Sequence, residues 1–247
     1  MRSGAQRDVA AHPRAARGAL TPSDAAEDLG LAALTLADGV VAERADAAAL
    51  GLRAVIRIAL ARRPARVVHG VAVPFDEIDP ARVDRRLLAD GIADATAARC
   101  ADPTSPAAIE AAIAVLYATA PDPARPDWTA IRTAHRALRR LDPSPARDLA
   151  ATIADALAGD VDAIARLGRF ATGEPAYVRR DAALALADLA WRAGDRDAAA
   201  ARYRALVDTA DADGWDPAIR ALLSSRGTLR KARVHPGRTS DRRAPRR

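Results

Sequence analysis

Histidine and cysteine residues, which often act as catalytic groups or metal ligands, are few in this sequence and lie far apart. They are His12, His69, His135, His235 and Cys100. No two histidines have the His-x3-His spacing that places both on one face of a helix as zinc ligands. A single cysteine excludes both an internal disulfide and a multi-cysteine zinc site. We expect Cys100 to be a packed thiol at a helix end, and no metal site.

Motifs for nucleophiles and for phosphate loops are missing too. No serine stands in the Gly-x-Ser-x-Gly sequence of the α/β-hydrolases. A P-loop ends in Gly-Lys-Ser/Thr, and Lys231 is the only lysine and lies outside such a motif. We therefore expect no catalytic residue and no cofactor, and an enzyme without a recognisable motif is the less favoured alternative.

The acidic group Asp76, Glu77 and Asp79 could bind a metal or act as an acid–base pair. A catalytic carboxylate pair needs a partly desolvated pocket that separates the two pKa values. No apolar surroundings are evident around these residues in the sequence. Capping of a helix by Asp79 is therefore the favoured interpretation.

The best candidates for a binding surface are polar and aromatic residues on otherwise apolar helices between Asp127 and Leu206. The alternative for the polar residues is a solvated outer face, and for the aromatic residues it is core packing. The candidates are Trp128, Arg132, His135, Arg136, Arg179, Arg180 and Tyr203.

The net charge of +6 comes from the two ends of the chain. Residues 226–247 carry nine basic residues against Asp241, whereas residues 21–225 are net acidic. Nucleic acid could therefore bind at most non-specifically, through a basic tail. The tail candidates are Arg226, Arg230, Lys231, Arg233, Arg238, Arg242 and Arg243.

The composition predicts an almost all-helical protein. Alanine, the best helix former, is the most frequent residue, and aromatic residues make up only 3%. No apolar run reaches the roughly 18 residues of a membrane span, and residues 1–18 lack the apolar core of a signal peptide. We expect a cytoplasmic protein with no membrane contact, and the oligomeric state stays open.

Six capping residues stand directly before a proline, a pair typical of helix starts. They are Thr21, Asp79, Ser105, Ser144, Glu174 and Asp216. Asp127 is expected to cap a further helix without a proline. Apolar residues then recur at steps of three and four, which predicts nine or ten helices between about 22 and 226. Only residues 67–73 look strand-like, and they could form a small hairpin.

The predicted fold is an all-α, irregular helical array with a helix-hairpin solenoid toward the C-terminus. Within Ala182–Val207, small residues, Gly194 and Tyr203 together resemble a tetratricopeptide (TPR) hairpin. An ordinary antiparallel helix pair is the alternative. The expected organisation is a disordered segment 1–20, a helical domain 21–126, TPR-like repeats 127–226 and a disordered basic tail 227–247.

Several motifs, in order over roughly 20–210, resemble the C-terminal extension of a group of extracytoplasmic-function (ECF) RNA polymerase sigma factors. The motifs are Ala49–Ala54, Ala61–Arg66, Asp84–Gly91, Ala111–Ala114, Asp127-Trp128 with Ile131, Pro143-Ser144-Pro145 and Gly194–Tyr203. In that group a helical domain of unknown function and TPR-like helices follow two promoter-binding domains. The resemblance implies a bacterial, non-catalytic module that regulates transcription initiation by contacting a sigma factor, RNA polymerase or a peptide segment.

The sequence before residue 20 is too short for a promoter-binding domain, which needs several helices. We therefore expect either a stand-alone relative of the extension or a fragment of a split sigma factor. A nucleic-acid-binding protein that acts through the basic tail is a further alternative.

Overall fold

A computed structural model describes residues 24–173, 175–213 and 216–228, and it is all-α, at about 78% helix. Ten α-helices are present in that part of the chain. The first five are α1 (Asp24–Glu43), α2 (Ala47–Arg66), α3 (Arg85–Ala101), α4 (Pro106–Ala118) and α5 (Trp128–Leu141). The others are α6 (Pro145–Leu157), α7 (Val161–Phe170), α8 (Ala176–Arg192), α9 (Arg196–Asp213) and α10 (Pro217–Thr228). The prediction of an all-α helical array is confirmed.

A short antiparallel hairpin and two 3-10 turns connect α2 to α3. Strand β1 (Val67–Val68) pairs with β2 (Val71–Ala72). His69 and Gly70 both have positive φ angles, 52° and 75°, as a tight two-residue hairpin turn requires. The 3-10 turns are Phe75–Glu77 and Pro80–Arg82. The strand-like segment at 67–73 is therefore a hairpin, as the sequence suggested.

Several helix starts follow the capping prediction. Asp127 accepts a hydrogen bond from the amide of Ala130, and Asp216 accepts one from Ala218. Ser105 and Ser144 precede helices whose first residue is proline, but only Ser144 bonds through its side chain. Thr21 and Glu174 lie outside the described residues.

Other starts and ends differ from the prediction. Asp79 caps only the 3-10 turn, and α3 begins after Asp84, which bonds the amide of Leu87. Asp46 caps α2 through the amide of Ala49. Pro64 lies inside α2, which continues past it to Arg66.

Helix α2 is the centre of the first half of the array and packs against α1, α3 and α4. Its buried residues include Ala54, Val55 and Ile58. At Gly51 a Cβ atom would lie 2.6 Å from the backbone of Ala107, so only glycine permits this approach of α4. The small side chains therefore set the short distance between these helices.

In the second half, each helix from α5 to α10 packs against the next one. One core lies among α6, α7 and α8, and a second among α8, α9 and α10. Helix α8 leads to α9 through Gly194, whose φ is 80°. The helix pair expected at 182–207 is thus present.

The first half of the array, from α1 to α4 with the hairpin, contacts the second half, from α5 to α10. The contact is made by α10, which packs against β2 of the hairpin. The last helix therefore returns to the segment that follows α2. The predicted boundary at 126/127 falls in the loop between α4 and α5, and residues 1–20 and most of 227–247 lie outside the described parts.

Candidate functional site

Arg226 of α10 is the centre of a polar cluster at the contact between the halves. Its side chain is only 6% exposed. It donates to the Tyr203 hydroxyl at 2.9 Å and to Glu77, and its Nη1 lies 3.5 Å from Asp188. The guanidinium also lies over the Trp191 ring, 4.3 Å from the ring centre. This arginine therefore joins α8, α9 and α10 to the 3-10 turn Phe75–Glu77.

Tyr203 is fully buried in this cluster, and its hydroxyl donates to Asp188. Burial, and then the charge of Asp188, raise the pKa of Tyr203. The prediction that Tyr203 lines a protein-binding surface is therefore wrong in this conformation. Its ring fills the core between α8 and α9, as the aromatic residue of a helix hairpin does.

Three aromatic rings, those of Phe75, Tyr117 and Trp128, form a row that starts at the same 3-10 turn. The rings of Phe75 and Tyr117 meet edge to face at 4.8 Å, and those of Tyr117 and Trp128 at 6.0 Å. Arg192 lies 6.0 Å from the centre of the Trp128 ring and binds Asp76 at 3.1 Å. The Trp128 ring thus contacts Tyr117 and Arg192 within the protein, and it is only half-buried.

Arg136 takes part in an ion-pair network. Its Nη2 lies 2.7 Å from the carboxylate of Asp155, which is 4% exposed. Arg166 of α7 binds the same carboxylate at 3.2 Å and Asp160 at 2.9 Å. This network ties α5, α6 and α7 together and engages one of the predicted binding residues.

The remaining predicted binding residues lie on α5 and α8, which are separated along the array by α6 and α7. Arg132 and His135 are half-buried on α5. Arg179 donates to the carbonyl of Gly173 at 3.3 Å, and Arg180 lies 3.6 Å from Asp181. A common groove that contains all of them stays a prediction.

Two further expectations need correction. Arg226 does not belong to a basic tail, because α10 continues to Thr228 and buries it; the other tail candidates lie outside the described residues. Cys100 is exposed rather than packed, because it falls on the solvent side of α3.

Helix α1 exposes large aliphatic side chains to solvent. Leu29 and Leu36 are each 72% exposed, Leu31 is 51% exposed and Val40 is 36% exposed. Ala37, which is 3% exposed, lies on a side of α1 that is buried. A helix that is apolar on more than one side is normally covered on each of them. The apolar spacing of residues 29–41 is the sequence signal for this surface, which lies outside the binding region predicted between Asp127 and Leu206.

Helix α2 presents two arginine pairs with i, i+4 spacing. Arg53 and Arg57 share two carboxylates, that of Asp94 on α3 at 2.7 and 2.8 Å and that of Asp38 on α1 at 3.2 and 3.1 Å. The bond to Asp94 raises the pKa of Arg53. The cluster therefore fixes α1 and α3 to α2 with balanced charge.

The second pair, Arg62 and Arg66, lies toward the C-terminal end of α2. The Arg62 guanidinium carbon is 4.8 Å from the centre of the Phe75 ring. Burial lowers the pKa of Arg62 to about 10. Burial, and then the charge of Arg62, lower the pKa of Arg66 to about 9. This pair is thus held in a less polar environment than the first.

The described parts of the chain contain neither a metal-binding cluster nor a membrane-spanning helix. No group of three or more histidine, cysteine, aspartate or glutamate residues there is arranged to hold a metal ion. None of the helices there is both long and apolar enough to cross a bilayer.

Comparisons with known proteins bear on the first part of the chain. No curated protein and no solved structure matches the sequence. One family model matches residues 17–99, a stretch that contains α1, α2, the hairpin and most of α3. This part of the chain is similar to a family of unknown function, DUF6596.

Proposed function

We propose that the protein is a non-catalytic helical interaction module that regulates bacterial transcription initiation by binding a sigma factor or RNA polymerase. The observation that carries the interaction role is the exposed apolar face of α1, made by Leu29, Leu36 and Val40. The link to transcription comes from the resemblance to the extension of ECF sigma factors.

Charge indicates what kind of partner fits this face. The sequence of α1 contains five acidic residues and no basic one: Asp24, Glu27, Asp28, Glu43 and Asp38, the last of which already binds Arg53 and Arg57. A second copy of α1 would bring like charges together. A basic amphipathic helix of a partner protein would instead bury its apolar side on α1 and place its cations near the acids.

The apolar face is large enough to matter for affinity. Four of the large hydrophobic residues that are exposed in the described parts lie on this one helix. Burying a leucine side chain fully contributes about 1.5–3 kcal/mol. Two leucines at 72% exposure would therefore account for a sizeable part of a micromolar affinity.

The test is direct binding of the purified full chain to core RNA polymerase and to the ECF sigma factors of the same genome, measured by biolayer interferometry. We expect the double variant Leu29→Ser/Leu36→Ser to bind at least tenfold more weakly. Val161→Ser, on α7 at 79% exposure, is the matched control and should bind normally. Absence of binding by the wild-type chain to every one of these proteins would contradict the proposal.

A second pair of variants distinguishes the α1 face from the predicted groove on α5 and α8. If Arg179→Ala/Arg180→Ala weakens binding and the leucine variants do not, the partner docks on the groove instead. In both cases the circular-dichroism melt must stay unchanged, so that lost binding is not lost folding.

A further inference from the structure

Helix α7, in the second half of the array, exposes an apolar side to solvent. One side of α7 packs on α6 and α8, and Leu167 is fully buried there. On the rest of the helix surface Val161 is 79% exposed and Ile164 is 50% exposed. Two aliphatic side chains one turn apart on a helix of ten residues form a small apolar patch, which is a candidate contact surface.

The same side of α7 leaves room for another helix to approach. Ala165 and Gly168 follow Val161 at steps of four and three, so the three positions lie along one side. A Cβ atom at Gly168 would meet no atom within 4 Å, so the described part of the chain gives no packing reason for a glycine there. The space beside Gly168 is therefore open from outside.

Two opposite charges lie along one edge of this apolar side. Asp162 and Arg169 are both exposed, and they are seven residues apart, which is about two helical turns. They therefore project from the same edge of α7. Arg166, one turn after Asp162, binds Asp155 and Asp160 instead. The edge thus has a negative end and a positive end.

An antiparallel pair of two identical α7 helices would make these charges complementary. In a two-fold symmetric pair, a residue before the centre of one helix faces the residue at the same distance after the centre of the other. With the centre between Ala165 and Arg166, Asp162 of each copy faces Arg169 of the other copy. The symmetry brings the same edge of both helices together and forms this ion pair twice.

We propose that α7 is a self-association surface, on which two copies of this chain pair antiparallel through the apolar side and form two Asp162–Arg169 ion pairs. Helix α7 has ten residues and is therefore about 15 Å long. A contact of that length buries less than the roughly 800 Å² per partner of a standard stable interface. The dimer is therefore weak, with a dissociation constant on the order of 100 μM.

This surface is separate from the apolar face of α1, which belongs to the first half of the array. The proposal therefore does not depend on the binding of a sigma factor or RNA polymerase, and either can fail while the other holds. Val161→Ser should weaken self-association. It remains a valid control for the α1 face, because that binding is measured at concentrations too low for two copies to pair.

The experiment is sedimentation equilibrium of the full chain from about 10 to 500 μM, a range around the expected dissociation constant. The average mass of the wild type should rise from that of one chain toward that of two. Asp162→Arg and Arg169→Asp, each alone, place like charges opposite each other and should weaken association at least tenfold. The double variant Asp162→Arg/Arg169→Asp exchanges the two charges and should restore wild-type association.

A mixture of the two single variants makes the sharpest comparison. One variant carries two cations along this edge and the other carries two anions. An equimolar mixture should therefore form a dimer of one copy of each, although neither variant associates alone. Arg125→Asp is the matched control and should associate as the wild type does, because it reverses the charge of a side chain that is 88% exposed in the loop between α4 and α5.

A steric variant tests the same surface without changing its charge. Gly168→Gln adds a side chain whose Cβ meets no atom within 4 Å in the monomer, and it should also weaken association. All variants must keep the circular-dichroism melt of the wild type. A wild-type chain that stays monomeric over the whole range, or single charge variants that associate normally, would overturn the proposal. Association that is lost in Leu29→Ser/Leu36→Ser and kept in the α7 variants would overturn it too.

Discussion

Arg226, near the end of the last described helix, donates a hydrogen bond to Glu77, which stands 149 positions earlier in the chain. The same guanidinium bonds Tyr203 and lies over Trp191. A single side chain therefore holds the C-terminal helix hairpin to the loop after the β-hairpin. This contact makes the described helices a closed arrangement rather than an open row.

Replacing Arg226 should lower stability strongly. Arg226→Met leaves Asp188 and the Tyr203 hydroxyl without their cation, and we expect the free energy of unfolding to fall by about 3 kcal/mol. Glu77 has a side chain that is 49% exposed, so Glu77→Gln should cost about 1 kcal/mol. Urea unfolding measures both, and Arg125→Met should stay within about 0.5 kcal/mol of wild type. A similar loss in all three variants would contradict the assigned role.

The buried carboxylate of Asp94 should contribute about as much to the free energy of unfolding as Arg226 does. Asp94→Asn would leave Arg53 and Arg57 with Asp38 alone, and we expect a loss of about 3 kcal/mol. Asp122→Asn, with a side chain that is 57% exposed, is the matched control and should change stability by less than about 0.5 kcal/mol. Thermal melts of both variants would show whether the cluster on α2 stabilises the fold.

Tyr203 should make the protein sensitive to alkaline pH. Its folded-state pKa is raised by burial, whereas an unfolded tyrosine ionises at about pH 10. The stability that comes from this shift is complete below pH 10 and is lost as the pH rises toward the folded pKa. Titration of the absorbance at 295 nm should show that one of the three tyrosines ionises last, and Tyr203→Phe should remove that component. A titration that is unchanged in Tyr203→Phe would contradict this.

Deleting residues 229–247 should change the melting temperature by no more than about 2 °C, because their sequence offers few apolar side chains to bury. Deleting residues 226–247 should lower it much further, since Arg226 and Gly227 are buried in α10. Differential scanning calorimetry of the two truncations makes the comparison. Equal melting temperatures would show that the core does not need Arg226.

Binding to DNA should be weak and indifferent to sequence. We expect it to depend on the basic residues after 228, to fall steeply between low and physiological salt through counterion release, and to vanish in the 229–247 deletion. Gel shifts with a promoter duplex and a scrambled duplex at two salt concentrations provide the measurement. Salt-resistant, sequence-specific binding would contradict the expectation that this chain binds DNA only through the basic residues after 228.

The helical class, the hairpin at 67–73 and the caps at Asp127 and Asp216 could all be predicted, because each depends on neighbours within a few residues. The burial of Arg226 could not, since its partners come from three separate stretches of the chain. The ion pair of Arg53 could not be predicted either, because its partner Asp94 is distant in the sequence. The candidate site was therefore only partly predictable: residue types could be named, but which charges are balanced depends on the tertiary packing.

The contact of α10 with β2 also sets an order of events during synthesis. The ribosome makes Glu77 long before Arg226, so the loop after the β-hairpin emerges without the partner that covers it. The early helices can pack as they appear, but the junction cannot close until α10 has left the exit tunnel. A nascent chain stalled before Arg226 would therefore leave Asp76, Glu77 and Phe75 more open to protease than the finished protein does.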